Sequence, residues 1–198
     1  MIQTPLSRLA GAFALGAALG TSLDAIHAYG DVEDYSNEVL GRLGWFVPLE
    51  FGLAGLAAAL MLALLERVVG PGRPPPWTVW EQVREIPLIA GLYVTSVVAN
   101  GPGAVPFAVA LAVLLAVRLT LGAAPGDWAF ALAAAAAGPA AEAAIHAFGA
   151  FDYTEPDFLG LPVWLPLLWA NGGLVIRRLF GPLAVPQPDE TAERAYVG

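Results

Sequence analysis

The segments Ala25-Ile26-His27-Ala28-Tyr29-Gly30 and Ala144-Ile145-His146-Ala147-Phe148-Gly149 decide how this chain folds. Each sits at the end of a long apolar run, residues 9–28 and residues 128–148. Each is followed by a short acidic loop and then a second apolar run, residues 45–69 and residues 161–180. Continuing without a gap, Leu40-Gly41 matches Leu159-Gly160 and Trp45 matches Trp164; with one gap, Asp34-Tyr35 matches Asp152-Tyr153. The two hairpins run in the same direction, so they read as a parallel repeat, an arrangement that often places a binding site at the repeat interface. Chance likeness between two alanine-rich hairpins is the rival reading. The six-residue match, which contains both histidines of the chain, favours a structural repeat.

Between the hairpins lie two further runs, residues 86–99 and 104–121, making six. Crossing about 30 Å of hydrocarbon takes roughly 20 helical residues, and most of the runs approach that. The third is the shortest. It reaches length only by starting near Val83 and absorbing Arg84, Glu85 and Pro87, so a re-entrant hairpin for runs three and four is the main alternative. Composition agrees with a membrane chain: 58% of 198 residues are hydrophobic and 13% charged, against about 25% charged in soluble domains. The expected fold is all-α: a polytopic membrane protein, a six-transmembrane-helix bundle over residues 1–181 with a polar, disordered cytoplasmic tail over 182–198. The first run resembles a signal peptide in having Arg8 before it, but its removal would leave five spans and break the repeat.

Arginine placement sets the expected direction. With the N-terminus inside, inner segments hold Arg8, Arg67, Arg73, Arg84, Arg118, Arg177, Arg178 and Arg194, while the outer loops hold only Arg42. The positive-inside rule then predicts a multi-pass protein of the cytoplasmic membrane with both termini cytoplasmic. Trp45 and Trp164 fall at the outer boundary and Trp77, Trp80 and Trp128 near the inner one, as interfacial anchors do. A net charge of -8 excludes a nucleic-acid partner, since a phosphate backbone needs a basic face. The absence of cysteine excludes disulfides and thiolate metal sites.

The second hairpin carries the family-like residues. Tyr153-Thr154-Glu155-Pro156-Asp157-Phe158-Leu159 is followed by Trp164-Leu165-Pro166, then Gly172-Gly173, then Arg177. This closely resembles the last loop and last helix of the Insig family, whose pattern there is Tyr-Thr-x-Pro-Asp-Phe-Leu, Trp-Leu-Pro and Gly-Gly. Trp45-Phe46-Val47-Pro48 is similar to the Trp-Val-Pro that opens the family's second span. The resemblance implies a six-span membrane protein with a lipid-binding cavity; the animal members bind Scap and HMG-CoA reductase in a sterol-dependent way. The chain departs from the family elsewhere. The Asp-Arg pair at the cytosolic end of the fourth span is replaced by Leu115-Ala116-Val117-Arg118, and the sterol-contacting Gln has no counterpart among Gly103, Ala104, Val105 and Pro106. Those departures count against animal-type Scap binding and against oxysterol.

Three acids lie inside the expected spans: Asp24, Glu50 and Glu142. A charge at membrane depth is costly and usually faces a cavity or a partner. Asp24 and His27 are three apart and Glu142 and His146 four apart, so each pair shares a helical face. The repeat brings both pairs to the outer leaflet, and Glu50, one turn beyond Trp45, joins them. Three readings follow: a metal or acid-base site, a polar cluster that bonds across the bundle, or a lipid head-group site with mostly apolar walls. The spacings do not match the Glu-x-x-His of two-metal bundles, and no metal is expected. Asn171 lies mid-span, where an interhelical hydrogen bond competes with ligand contact. Thr154, Pro156 and Asp157 read as the turn and N-cap of the last helix, Asn100 as a turn residue, and Gly16-x-x-x-Gly20 as a close-packing face.

The sequence therefore predicts a lipid-binding protein without catalytic residues or cofactor, a bound lipid excepted. The ligand set is Asp24, His27, Glu50, Glu142, His146 and Asn171, and the ligand a sterol-like or diacylglycerol-like lipid. Regulation of a membrane partner and homo-oligomerisation belong to the same expectation. The alternatives are an intramembrane lipid-modifying enzyme using a histidine base, and a structural partner of another membrane protein.

Overall fold

A computed structural model of the chain describes residues 6–69, 78–124 and 126–184. Six long helices and one short helix carry nearly all of it: α1 (Leu6–Tyr29), α2 (Val47–Val69), α3 (Val79–Val83), α4 (Glu85–Ala99), α5 (Ala104–Leu121), α6 (Asp127–Ala147) and α7 (Leu165–Ala184). The chain is a multi-pass helical bundle of membrane type. Four helices are long and apolar enough to cross a bilayer by length and composition: α1, α2, α5 and α6. The other two fall short for physical reasons. α4 has 15 residues, about 22 Å of helix, and Thr78 caps the separate turn of α3 that precedes it, its side chain accepting from Glu81 N. α7 carries Asn171, Arg177 and Arg178, all buried. It is the central helix, packed against α1, α2, α4, α5 and α6, so its polar groups meet protein rather than lipid. The expected tail begins late, because α7 continues through Ala184; residues 185–198 and the Arg73-Pro74-Pro75-Pro76 loop with Trp77 lie outside the described residues.

The two hairpins, α1–α2 and α6–α7, are equivalent at a spacing of 118 residues. At the first crossing a side chain on Gly16 would strike the Phe51 carbonyl and Gly55 Cα; at the second, one on Gly173 would meet Ala134 Cβ at 2.6 Å. Gly20 lies against the Phe51 ring and Gly138 against the Trp169 ring. Each pair shares that spacing. Gly16 and Gly20 therefore serve packing within the chain.

Four short strands fill the connections: β1 (Glu33–Tyr35), β2 (Glu38–Leu40), β3 (Leu43–Gly44) and β4 (Phe151–Tyr153). β1 pairs antiparallel with β4, Asp34 opposite Asp152 at the centre. Asp34 and Asp152 are themselves equivalent at 118, so the repeat's pseudo-two-fold axis passes through this ladder. Burial alternates in, out, in along both strands, as the two-residue period of a strand requires. Glu33 and Tyr35 turn in while Asp34 stays out; Phe151 and Tyr153 do the same around Asp152.

Helix ends correct the register read from the sequence. α1 closes with Val32 N donating to the His27 carbonyl around Asp31 (φ 55); α6 closes with Ala150 N donating to the Ile145 carbonyl around Gly149 (φ 72). The position equivalent to His27 is thus Ile145. The six-residue match aligns His27 with His146, one residue out, a rotation of about 100° on a helix. Trp164 corresponds to Phe46 by the same spacing. It is 0% exposed, whereas Trp45 is 61% exposed, so only Trp45 of that expected pair is an interfacial anchor. Trp80 and Trp128 are exposed as anchors should be.

Candidate functional site

A polar cluster forms where the β1–β4 ladder lies over the ends of α1 and α6. Tyr35 donates its hydroxyl to Asp24, and Tyr153 donates to Glu142. Both pairs span eleven residues, so the repeat builds the same tyrosine–carboxylate contact twice. Trp169 Nε1 also donates to Glu142. His27 is held on both nitrogens, Nδ1 at 3.0 Å from Glu33 Oε1 and Nε2 at 2.7 Å from Ser96 Oγ. It stacks on Tyr93 at 4.4 Å between ring centres and meets Trp164 edge-on at 5.7 Å. In the second half the equivalents of His27 and Glu33 are Ile145 and Phe151. A polar pair in one repeat is replaced by an apolar pair in the other.

Glu33, outside the spans, is buried and its carboxyl is pushed up to about 7, burial being the main cause. Burial likewise pushes the phenols of Tyr35 and Tyr153 far above the ordinary tyrosine range, with acids beside them adding to it. Both therefore act as fixed hydrogen donors.

Below this cluster lies a cavity of about 310 Å³ lined by α1, α2, α4, α6 and α7. Small residues open it: Gly16, Gly20, Gly55, Ala134, Ala137 and Gly172 are among its walls, and Phe130 and Phe180 close its far end. From Leu168 to Phe180 on α7 it extends about 18 Å. Tyr93 and Trp169 are its polar wall residues. Leu23 and Ala141, also in the wall, sit beside Asp24 and Glu142, which places the carboxyl cluster at that end. The Tyr93 hydroxyl has no hydrogen-bond partner among the described residues.

The six expected ligand residues therefore separate. Asp24, His27, Glu50 and Glu142 converge. Asp24 and His27 are 6% and 2% exposed, supports sealed behind the site. Glu142 and Glu50 are half-buried; Glu50 lies in the electrostatic field of Asp24 and Glu142. His146 does not join. Its Nδ1 lies 3.1 Å from the Phe151 carbonyl and 3.0 Å from exposed Asp152, the result of the one-residue rotation. Asn171 belongs to another network. Its Nδ2 donates to the Leu111 carbonyl at 3.1 Å, fastening α7 to α5, and its backbone carbonyl accepts from Arg118 at 3.0 Å. There Glu85 pairs with Arg118 at 2.6 Å and with Arg178, and Asp127 pairs with Arg177. Glu33, Tyr35, Tyr93, Ser96, Tyr153 and Trp169 are the members that sequence reasoning missed. Among the described residues no group of three His, Asp or Glu side chains is placed to hold a metal.

Loop residues singled out in the sequence have definite work. Thr154 Oγ1 donates to the Asp31 carbonyl at 2.7 Å and accepts from Asn100 at 3.0 Å, tying three connections together. Asp157 accepts from Val163 N at 2.8 Å, so it caps its own loop, two residues short of α7.

The crystal structure of a mycobacterial Insig homologue, MvINS from Mycobacterium vanbaalenii, superposes with a TM-score of 0.73 at 26% identity over 96% of this chain and 100% of that one. The chain is an Insig-like protein. A cross-linked trimer of a cysteine variant of MvINS matches with the same TM-score at 27% identity and the same coverage. A family model described as a protein of unknown function, DUF2878, matches residues 86–183. No curated protein matches the Insig-like chain.

Proposed function

We propose that this Insig-like protein binds a single lipid in the cavity between its two hairpins, apolar body against the glycine and alanine walls and polar end against Tyr93, Trp169, Glu142 and Glu50. The observation that carries this reading is the pairing of an apolar cavity of about 310 Å³ with a convergent polar cluster at one end, the general form of a small-molecule site. Carboxyls and phenols at that end favour an uncharged, hydroxyl-bearing lipid, sterol-like or diacylglycerol-like, over an anionic one. His27, engaged on both nitrogens, and His146, turned away, leave no histidine base facing the cavity, which favours binding over lipid chemistry. The bound lipid would stabilise one arrangement of the hairpins and so regulate a membrane partner. The arginine distribution supports a cytoplasmic membrane location with both termini inside, and the trimeric relative supports self-association.

Native mass spectrometry of gently solubilised protein, followed by lipid extraction, tests the reading. A single stoichiometric neutral lipid that Tyr93→Phe releases is the expected result. Protein that is stable, empty and unshifted in melting temperature by added lipids would overturn it.

A further inference from the structure

The β1–β4 ladder covers the polar cluster through Tyr35 and Tyr153, and two carboxyls lie beneath it. Asp24 on α1 and Glu33 on β1 are 6% and 4% exposed and flank the same Tyr35 hydroxyl. An ionised carboxylate only accepts hydrogen bonds, so one of the two must carry a proton for both to bond that single hydroxyl. Tyr35 has one hydroxyl hydrogen and gives it to Asp24, its oxygen lying 3.4 Å from Glu33 Oε2. The surrounding titratable groups come from every packed element: His27 from α1, Glu50 from α2, Tyr93 from α4, Glu142 from α6 and Tyr153 from β4. Among these described groups only His27 carries a positive charge in any state. Arg42 faces the other side of the loop, on Asp31 and Asp34. On that outer side Asp34 and Asp152 oppose each other across the ladder, Asp34 beside Arg42 and Asp152 beside His146 Nδ1.

We propose that a proton shared by Asp24 and Glu33 is the latch that keeps the β1–β4 ladder closed over the polar cluster, and that losing this proton opens the ladder. With both carboxyls ionised, two negative charges would face each other in a site of low dielectric, where repulsion is strong. The two sides yield unequally. α1 is fixed by backbone contact at Gly16 and Gly55, whereas β1 is three residues long and joined to α1 through the left-handed residue Asp31. β1 moves, carrying Tyr35 away from Asp24 and releasing the ladder from β4. Because burial holds the Glu33 carboxyl protonated to about 7, the transition falls near neutrality. The latch concerns the lid itself and stands whether or not the cavity holds a lipid.

Hydrogen exchange read by mass spectrometry on the full chain in detergent, at pH 5.5, 7.0 and 8.5 with intrinsic rates normalised, tests the latch. Peptides covering residues 31–36 and 150–154 should lose at least tenfold in protection between pH 5.5 and 8.5, while the interior of α1 and α7 stays protected. Glu33→Gln and Asp24→Asn, each removing one ionisable member, should keep those peptides protected throughout. Flat protection in the wild type would overturn the proposal, and so would loss of protection across the whole chain or an unchanged pH response in the folded variants. If neither variant folds, the wild-type profile alone decides, by whether the loss is confined to the ladder.

Discussion

Tyr35 and Tyr153 occupy equivalent positions in the two hairpins, and each donates its hydroxyl to an acid eleven residues earlier. The equivalence is geometric, yet the two acids are differently supported. Glu142 also receives Trp169 Nε1 and is half-buried, while Asp24 is sealed at 6% exposure.

That difference predicts unequal costs of removing the two hydroxyls. Tyr35→Phe leaves Asp24 with only Glu33 beside it, a loss of about 1–3 kcal/mol for a buried polar group deprived of its partner. Tyr153→Phe leaves Glu142 its indole donor and should cost less than half as much. Thermal unfolding of the two variants in the same detergent would rank them, and equal shifts would count against the asymmetry.

The two histidines should behave oppositely. His27 is buried, doubly hydrogen-bonded and stacked on Tyr93, so His27→Ala removes packing and leaves Glu33 and Ser96 short of partners. A loss of about 3 kcal/mol or more is expected from a cavity combined with unsatisfied buried groups. His146 is partly exposed beside an exposed aspartate, and His146→Ala should change stability by less than about 1 kcal/mol. Had the sequence register been the structural one, the two substitutions would match.

The hydropathy of α1, α2, α5 and α6 was legible because lipid-facing helices must be apolar over their whole length. The Tyr-Thr-Glu-Pro-Asp-Phe-Leu loop was legible as Insig-like because its residues serve a specific connection, Thr154 bridging to Asp31 and Asn100. The cluster was half legible. Asp24 and Glu142 stand out in apolar helices, but Glu33 looks like one more acid among Asp31, Asp34 and Glu38. Only strand alternation separates it, and a three-residue strand is too short to announce itself. The shared Glu/Phe-Asp-Tyr of β1 and β4 was the available signal. Register failed for a similar reason: alanine-rich helices tolerate a shift of one, and the helix ends, where Asp31 and Gly149 take the left-handed conformation, settle it.

Stability should fall as pH rises through neutrality. The Glu33 carboxyl has an ordinary value of 4.5 and is raised to about 7 in the fold, so the folded state holds this proton more tightly than the unfolded state. Its contribution is fully present below pH 4.5 and is lost as pH climbs through 7. The difference in melting temperature between wild type and Glu33→Gln isolates it. Wild type should fare better relative to the variant at pH 5 than at pH 8.5. A constant difference would mean that Glu33 keeps its ordinary value.

Glu85 is the buried ionic tie with two arginine partners at the end of the bundle away from the ladder, and its removal should be among the most damaging single changes. It stands in the first turn of α4, 3% exposed, and bonds Arg118 of α5 and Arg178 of α7, so one carboxylate joins three helices. Arg118 also donates to the Asn171 backbone carbonyl at 3.0 Å. Glu85→Gln keeps the shape and removes the charge, leaving two guanidinium groups facing each other without the anion between them. Breaking one side of a buried pair costs about 3–5 kcal/mol, and with two partners the upper end is expected. Glu85→Gln should therefore unfold at clearly lower temperature than wild type. Arg118→Met, which removes a charge while Arg178 still neutralises Glu85, should be milder. If Glu85→Gln melts with the wild type, the network is solvated in the bilayer rather than buried, and the central placement of α7 loses its main electrostatic support.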